Sequence, residues 1–336
     1  MYGCVKAFGA HNIKILGRGI LDNSRNKEKI LFEVHAEGNR EAVNNAVRPH
    51  TIQLEYCENV KIDGITIRDS LVYNIRPIAC RDLDIRNVKI IGCWRFNSDG
   101  VDMHNCENVI IEDCFIRTFD DSICVKGFDC YYEGDVEAAV KAAMHHNGGN
   151  YENFKNVRVR RCVIWNDWGR CLEIGAETRA EDICDVLFED CDIIHVMHAV
   201  LDVQNVDYAN VHDITYRNIR VELDETIPKP MIRRSDDQVY TNEDPDYAPE
   251  VLSSVVKYHH EYSAGGDRRG KNYDILFENI YIVGEKKPKF LFKGFSREFN
   301  SKNITVKNIY GNGKKLTSSD DYTLVVDEFC ENIVIE

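Results

Sequence analysis

The sequence predicts an all-β solenoid, a parallel β-helix of stacked coils, and three observations carry that reading. Short runs rich in Val and Ile alternate with polar residues. Gly or Asn splits or closes each run, which is strand-turn-strand chemistry. The pattern also recurs: "KIDGITIRD", "DIRNVKIIG", "IIEDCFIRT", "RVRRCVIWN", "LFEDCDIIH", "TYRNIRVEL", "LFENIYIVG" and "TVKNIYGNG" align on one turn position, at Gly64, Asn87, Cys114, Cys162, Cys191, Asn218, Asn279 and Asn308. Successive offsets are 23, 27, 48, 29, 27, 61 and 29 residues, the two large ones being close to twice the unit. Repeats of this length bury their apolar faces only against their neighbours, so they stack. Leucine-rich repeats have similar lengths, but they need regularly placed leucines, and here β-branched residues dominate.

A second marker agrees with the first. Asn59, Asn108, Asn156, Asn303 and Asn332 each stand ahead of a strand in "ENV", "KNV", "KNI" or "ENI". The whole chain, 1–336, therefore reads as a single domain with insertions at about 128–153 and 224–272. The first contains "GDVEAAVKAAMHHNGG", which predicts a short helix with Asp135 near its start and Gly148 after its end. The second concentrates Pro, Asp, Tyr and His, and long loops on a rigid scaffold often form binding walls. The chain begins and ends inside a rung pattern, so self-association into a homo-oligomer, or further sequence, is expected to cover exposed strand edges.

Charge and composition exclude some partners. The 42 basic and 56 acidic residues give a net charge of −14, which repels nucleic-acid phosphates and anionic membranes alike. No stretch approaches twenty consecutive apolar residues. Thirteen cysteines, an odd number without CxxC spacing, read as buried thiols stacked in a column. Free thiols suit a reducing compartment, so the expected location is cytoplasmic, or secreted or periplasmic if a leader has been clipped. His and Cys do not converge at ligand spacing, and neither a metal nor another cofactor is expected.

Four strands align in consecutive coils: "DGVDMH", "DSICVK", "RCLEIG" and "AVLDVQ". Period-two alternation sends Val101, Met103, Ile123, Val125, Leu172, Ile174, Leu201 and Val203 inward. Asp102, His104, Cys124, Lys126, Glu173, Asp202 and Gln204 then face solvent. At the head of this strip Asp99, Asp121 and Arg170 stack, with Asp120 beside Asp121. One Asp at a strand end simply caps a turn. Three on adjoining coils roughly 5 Å apart repel, which raises at least one pKa and leaves another group ionised. That division is what glycoside hydrolysis uses, one protonated acid for the leaving oxygen and one carboxylate to activate water.

At these residues the chain resembles the polygalacturonase family, glycoside hydrolase family 28, over roughly residues 2–222. The family's Asn-x-Asp motif is matched by Asn97, Ser98 and Asp99, and its Asp-Asp pair by Asp120 and Asp121 in "DDSICVK". "VRPHTIQLEYCENVKIDGITIRDS" is similar to the rung that leads to the family's site. The resemblance implies a right-handed, pectin-lyase-like parallel β-helix. It also implies Asp120 as general acid, Asp99 and Asp121 holding and activating the water, and inversion at the anomeric carbon.

Two departures bear on the substrate. The family's Gly-His-Gly aligns with Gly169, Arg170 and Cys171, and its Arg-Ile-Lys with Asp202, Val203 and Gln204. The missing cations hold a galacturonate carboxylate, so the expected substrate is an uncharged α-linked oligo- or polysaccharide and not galacturonan. The dextranase and isopullulanase family, which has the same fold and aspartates but cuts neutral α-glucans, is a second comparison. Substrate contacts are assigned to Asn97, Asp102, Lys126, Arg170, Glu173, Asp202 and Gln204. The competing classes are a polysaccharide lyase on the same scaffold and a non-catalytic glycan-binding β-helix.

Overall fold

The computed structural model describes residues 4–23, 50–70, 72–93, 97–127, 154–227, 229–230, 244, 246–259, 263 and 268–336. The helix expected near Asp135 and the histidines His145, His146 and His260 lie outside them. The described chain is a right-handed parallel β-helix. Its first sheet stacks ten parallel strands, Val5–Phe8, Ile52–Glu55, Ile75–Ile78, Val101–His104, Ile123–Gly127, Arg170–Thr178, Ala199–Asn205, Glu250–Val256, Lys289–Lys293 and Thr323–Val326. A second face runs through strands such as Glu107–Glu112, Phe154–Arg160 and Asp182–Glu189. A third runs through Phe115–Thr118, Val163–Asn166 and Asp192–His195. From Asn210–Glu222 onward one long strand serves the second and third faces together.

Alternation does what the sequence predicts on the inside. Val101, Ile123, Leu172 and Leu201 pair in register and are buried, as are Met103, Val125, Ile174 and Val203 one pleat further on. Each such aliphatic side chain contributes about 1.5–3 kcal/mol on burial, so the stack is held by its continuous apolar filling.

The turns are made by residues of positive φ. Asn108, Asn156, Asn303 and Asn332 have φ between 52° and 57°, a left-handed conformation that Asn tolerates. Their amides form a ladder between coils: Asn156 donates to Asn108 at 2.8 Å and Asn332 to Asn303 at 3.0 Å. The other turn column needs a correction. The left-handed positions are Gly64, Asn87, Asp113, Arg161, Asp190, Asn218, Asn279 and Asn308. Cys114, Cys162 and Cys191 therefore stand one residue later, buried in register with Ile and Val, because their side chains fill the core that an outward-turned residue leaves. The twelve described cysteines are free thiols.

The outward strip of the first sheet also differs from expectation. Asp102, His104, Cys124, Lys126, Glu173, Asp202 and Gln204 point out of the coil but are buried, none more than 4% exposed. Neighbouring coils bring acids and bases of this strip into ion-pairing distance, and they screen one another from water.

Candidate active site

The three aspartates come together as the heads of two adjacent coils. The Gly100 N–H donates to the Asp121 carbonyl at 2.9 Å, and the Ser122 N–H to the Arg170 carbonyl at 2.7 Å, so Asp99, Asp121 and Arg170 are stacked by the ladder itself. Asp120 is fixed from two sides. Its carboxylate accepts from the Asn97 N–H at 2.5 Å and from the Asp121 N–H at 3.1 Å. Asn97 thus contributes a backbone donor, held in a left-handed conformation with φ +59°.

Two residues of the following coil clamp this corner. Asn166 Nδ2 donates to the Asp120 carbonyl at 2.7 Å and lies 3.1 Å from the Arg170 carbonyl. A Cβ on Gly169 would come within 2.7 Å of the Asp120 carbonyl carbon and the Asp121 nitrogen, so only glycine lets the next coil close on the pair. Trp168 stacks on Phe119 at 5.6 Å and packs the coil edge, while Trp165 stacks on His195 at 4.7 Å.

Lys126 is the hub of the site. Its Nζ lies 3.3 Å from Asp102, 3.5 Å from Glu177, 3.6 Å from Asp99 and 3.7 Å from Asp121. Arg170 is a second hub, 2.7 Å from Asp202, 3.4 Å from Glu173 and 3.8 Å from Asp121. Both cations placed among the substrate contacts are therefore engaged by carboxylates. Glu173 is wholly buried, and among the described residues neither of its carboxylate oxygens receives a hydrogen bond. It stands beneath the surface and braces Arg170.

The acids outnumber the cations, and their protonation divides accordingly. Burial, with the Asp121 charge added, pushes Asp120 up to about 7. Burial and then Asp120 raise Asp99 well above the usual range, against the pull of Lys126. Glu173 is likewise raised by burial and by Asp121. Burial works in the same sense on Asp102, but Lys126 and His104 outweigh it and hold Asp102 below the usual range. Asp121 faces both Lys126 and Arg170, so its negative charge is balanced on two sides.

Among the described residues, two sets bring ligand atoms within 4.8 Å of one another: Asp99, Asp102 and Cys124, and Asp121, Cys124 and Glu173. Lys126 and Arg170 already supply positive charge to both.

Beside Arg170 and Asp202 lies a cavity of about 400 Å³, whose lining includes Gln204, His198, Lys257, Lys293 and Phe295. Asp202 does not present a bare charge to it, because its carboxylate takes Arg170 on one oxygen and the Ser253 hydroxyl on the other. Burial and Arg170 push His198 down to about 3, which keeps it neutral. Asn166, Glu177, His198, Lys257 and Lys293 were not singled out from the sequence.

Comparison with known proteins shows the family and the fold. The profile of the family described as Glycosyl hydrolases family 28 matches residues 4–258. A probable polygalacturonase of Vitis vinifera is 36% identical over 145 residues, 40% of this chain and 26% of that protein. A polygalacturonase of Gossypium barbadense is 25% identical over 210 residues, 59% of this chain and 49% of that one. The chain thus spans between a quarter and a half of these relatives. The crystal structure of a hyperthermoactive exopolygalacturonase from Thermotoga maritima superposes with a TM-score of 0.66 at 18% identity, covering 98% of this chain and 71% of that one.

Proposed function

This chain belongs to glycosyl hydrolase family 28, and from that membership we propose that it hydrolyses an α-linked glycan with inversion, taking an uncharged sugar at the subsite of Asp202 and Gln204. The observation that supports it most is the state of Asp120, which is held near 7 by burial and Asp121 and fixed by two backbone donors. A carboxylic acid in that state is protonated in about half of the molecules at neutral pH and in most below it, and it gives its proton to the glycosidic oxygen as the bond to the anomeric carbon breaks. Asp121, between Lys126 and Arg170, takes the proton of the attacking water, and Asp99 helps hold that water. The water oxygen bonds to the anomeric carbon from the opposite face, so configuration inverts.

The relatives' names point to galacturonan, and the local charges point away from it. At the subsite of Asp202 the nearest guanidinium already grips three acids. A galacturonate carboxylate beside Asp202 would meet a guanidinium already engaged by acids, the lysines Lys257 and Lys293 of the same cavity standing on the two following coils, whereas a hydroxyl could pair with Gln204. The test is a reducing-end assay on polygalacturonate beside a panel of neutral α-glycans, with the product anomer followed by NMR. Turnover of a neutral glycan to the inverted anomer is expected. A clear preference for polygalacturonate would overturn the neutral-sugar reading, retention would overturn the stereochemistry, and an unsaturated, ultraviolet-absorbing product would replace hydrolysis by elimination.

A further inference from the structure

Cys124 stands in the middle of the acidic strip, and hydrolysis gives it no task. Its side chain leaves the coil on the outward face with those of Asp102 and Glu173, its register partners on the coils before and after, and all three are wholly buried. The thiol sulfur and one carboxylate oxygen each from Asp121 and Glu173 lie within 4.8 Å of one another, close enough to surround a single ion. Glu173 itself points to such an ion, because among the described residues neither of its oxygens receives a hydrogen bond. Arg170 does not fill that need: its Nε is 2.7 Å from Asp202 and reaches Glu173 only at 3.4 Å. A buried carboxylate without hydrogen bonds costs free energy that a bound cation recovers. The other set around this thiol, Asp99, Asp102 and Cys124, is better supplied. Lys126 lies 3.3 Å from Asp102 and 3.6 Å from Asp99, and His104 lies 3.0 Å from Asp102. In the first set, among the described residues, Lys126 pairs with Asp121 alone, at 3.7 Å.

Accepting Asp121 as the base of the hydrolase centre, we infer that Asp121, Cys124 and Glu173 form an inhibitory site for a thiophilic divalent cation of the zinc and cadmium class. Thiolate selects these ions, whereas magnesium and calcium take oxygen ligands. Three protein ligands leave one position of a tetrahedral ion for water. The ion bonds to Cys124 Sγ and to one oxygen of each carboxylate, the thiol proton passes to solvent, and no electron moves. Asp99, Asp102, Glu177 and Asp202 stand around the set beside Lys126 and Arg170, so the surroundings stay acidic in spite of the two cations. The way in passes Asp121, which is 5% exposed where Cys124 and Glu173 are closed to solvent. Once ligated, Asp121 no longer accepts the proton of the attacking water, and hydrolysis stops with Asp120 untouched.

The first test reads binding and needs no turnover. Wild type, Cys124→Ser and Glu173→Gln, freed of metal with a chelator, are titrated with cadmium chloride while the thiolate-to-cadmium absorption in the ultraviolet is followed. Other thiols, above all the exposed Cys4, give a background common to all three proteins. Above that background wild type is expected to bind one further equivalent, displaced by zinc but not by excess magnesium or calcium. Cys124→Ser should lose this equivalent. Glu173→Gln, which keeps the thiol, should bind it at least about a hundredfold more weakly, more than loss of an outer partner costs, and supplies the same test if Cys124→Ser does not fold. Identical titrations of wild type and either variant, or displacement by magnesium as readily as by zinc, overturn the inference and leave the hydrolase reading standing. The second test follows turnover of a glycan that wild type cleaves, each protein being compared with its own metal-free rate. Cadmium should lower kcat of wild type in step with filling of the extra equivalent, and a chelator should restore it. Undiminished kcat with the equivalent filled would reject inhibition, and with it Asp121 as the base.

Discussion

Arg170 Nε lies 2.7 Å from Oδ2 of Asp202, across the boundary between two successive coils. The pair neutralises a position that would otherwise repel an acidic sugar, and it also keeps the guanidinium from serving one. Asp202→Asn removes the acid and releases Arg170 towards the cavity. The variant is expected to gain on polygalacturonate, with KM falling about tenfold relative to wild type, while activity on a neutral glycan changes little. Parallel kcat and KM measurements on both substrates check this, and an unchanged KM for polygalacturonate would mean that Glu173 and Asp121 alone retain the guanidinium.

The protonation of Asp120 sets the pH response. Its pKa of about 7 makes the acid form dominant below neutrality. The profile of kcat/KM should therefore fall on the alkaline side, about tenfold per unit, beginning near pH 7. Asp120→Asn should lower kcat by about 10² to 10⁴ with KM nearly unchanged and should abolish that limb. A substrate with an activated leaving group needs less protonation and should lose less.

Removing Lys126 is expected to cost stability as well as activity. Its ammonium is almost entirely buried among four carboxylates, and breaking such a cluster by deleting one partner costs about 3–5 kcal/mol. The sign with pH follows from Asp102, whose folded-state pKa is depressed, with Lys126 the largest lowering influence. That stabilisation is fully present above the ordinary carboxylate pKa and is lost as pH falls from there towards the depressed pKa of folded Asp102. Urea unfolding of Lys126→Met should thus show its largest deficit near neutrality and a narrowing gap below about pH 4.

Gly169→Ala tests the clamp behind the aspartate pair. The added methyl meets backbone atoms at 2.7 Å, so the two coils must separate locally. We expect a fall in kcat of at least about tenfold, since small displacements of positioned groups are costly, together with a lower Tm. Full activity with an unchanged Tm would show that the corner yields without moving Asp120.

Much of this was legible in the sequence because strand alternation is strictly local. Val101 to Val203 could be placed inward from spacing alone, and the aspartates could be grouped because one coil's length separates them. The column of turns slipped by one residue at Cys114, Cys162 and Cys191. There Asp113, Arg161 and Asp190 take the left-handed position that Asn takes elsewhere; Asp tolerates it as Asn does, but the Arg161 side chain does not announce it, and the cysteine beside each drew the alignment instead. Glu177 was missed for another reason. The register between Ile123–Gly127 and Arg170–Thr178 shifts after Val125, bringing Glu177 to Lys126 where simple alternation would not. Lys257 and Lys293 are legible only once the third and fourth coils beyond Asp121 are stacked in space. The outward strip looked solvated because pattern reports direction, whereas burial depends on what neighbouring coils bring.

The turn between the second and third faces has a consequence for how such a chain can change over generations. From Gly64 to Asn308 that bend is made on one left-handed residue each time, and no long segment interrupts it. The long connections, residues 24–49, 128–153, 224–249 and 257–270, all border a strand of the first sheet instead. Mutation can therefore lengthen, shorten or trade segments at either end of the first-sheet strands without disturbing the turn between the second and third faces. Descendants of one ancestral stack can then differ in the walls around the site while inheriting the same corner of aspartates.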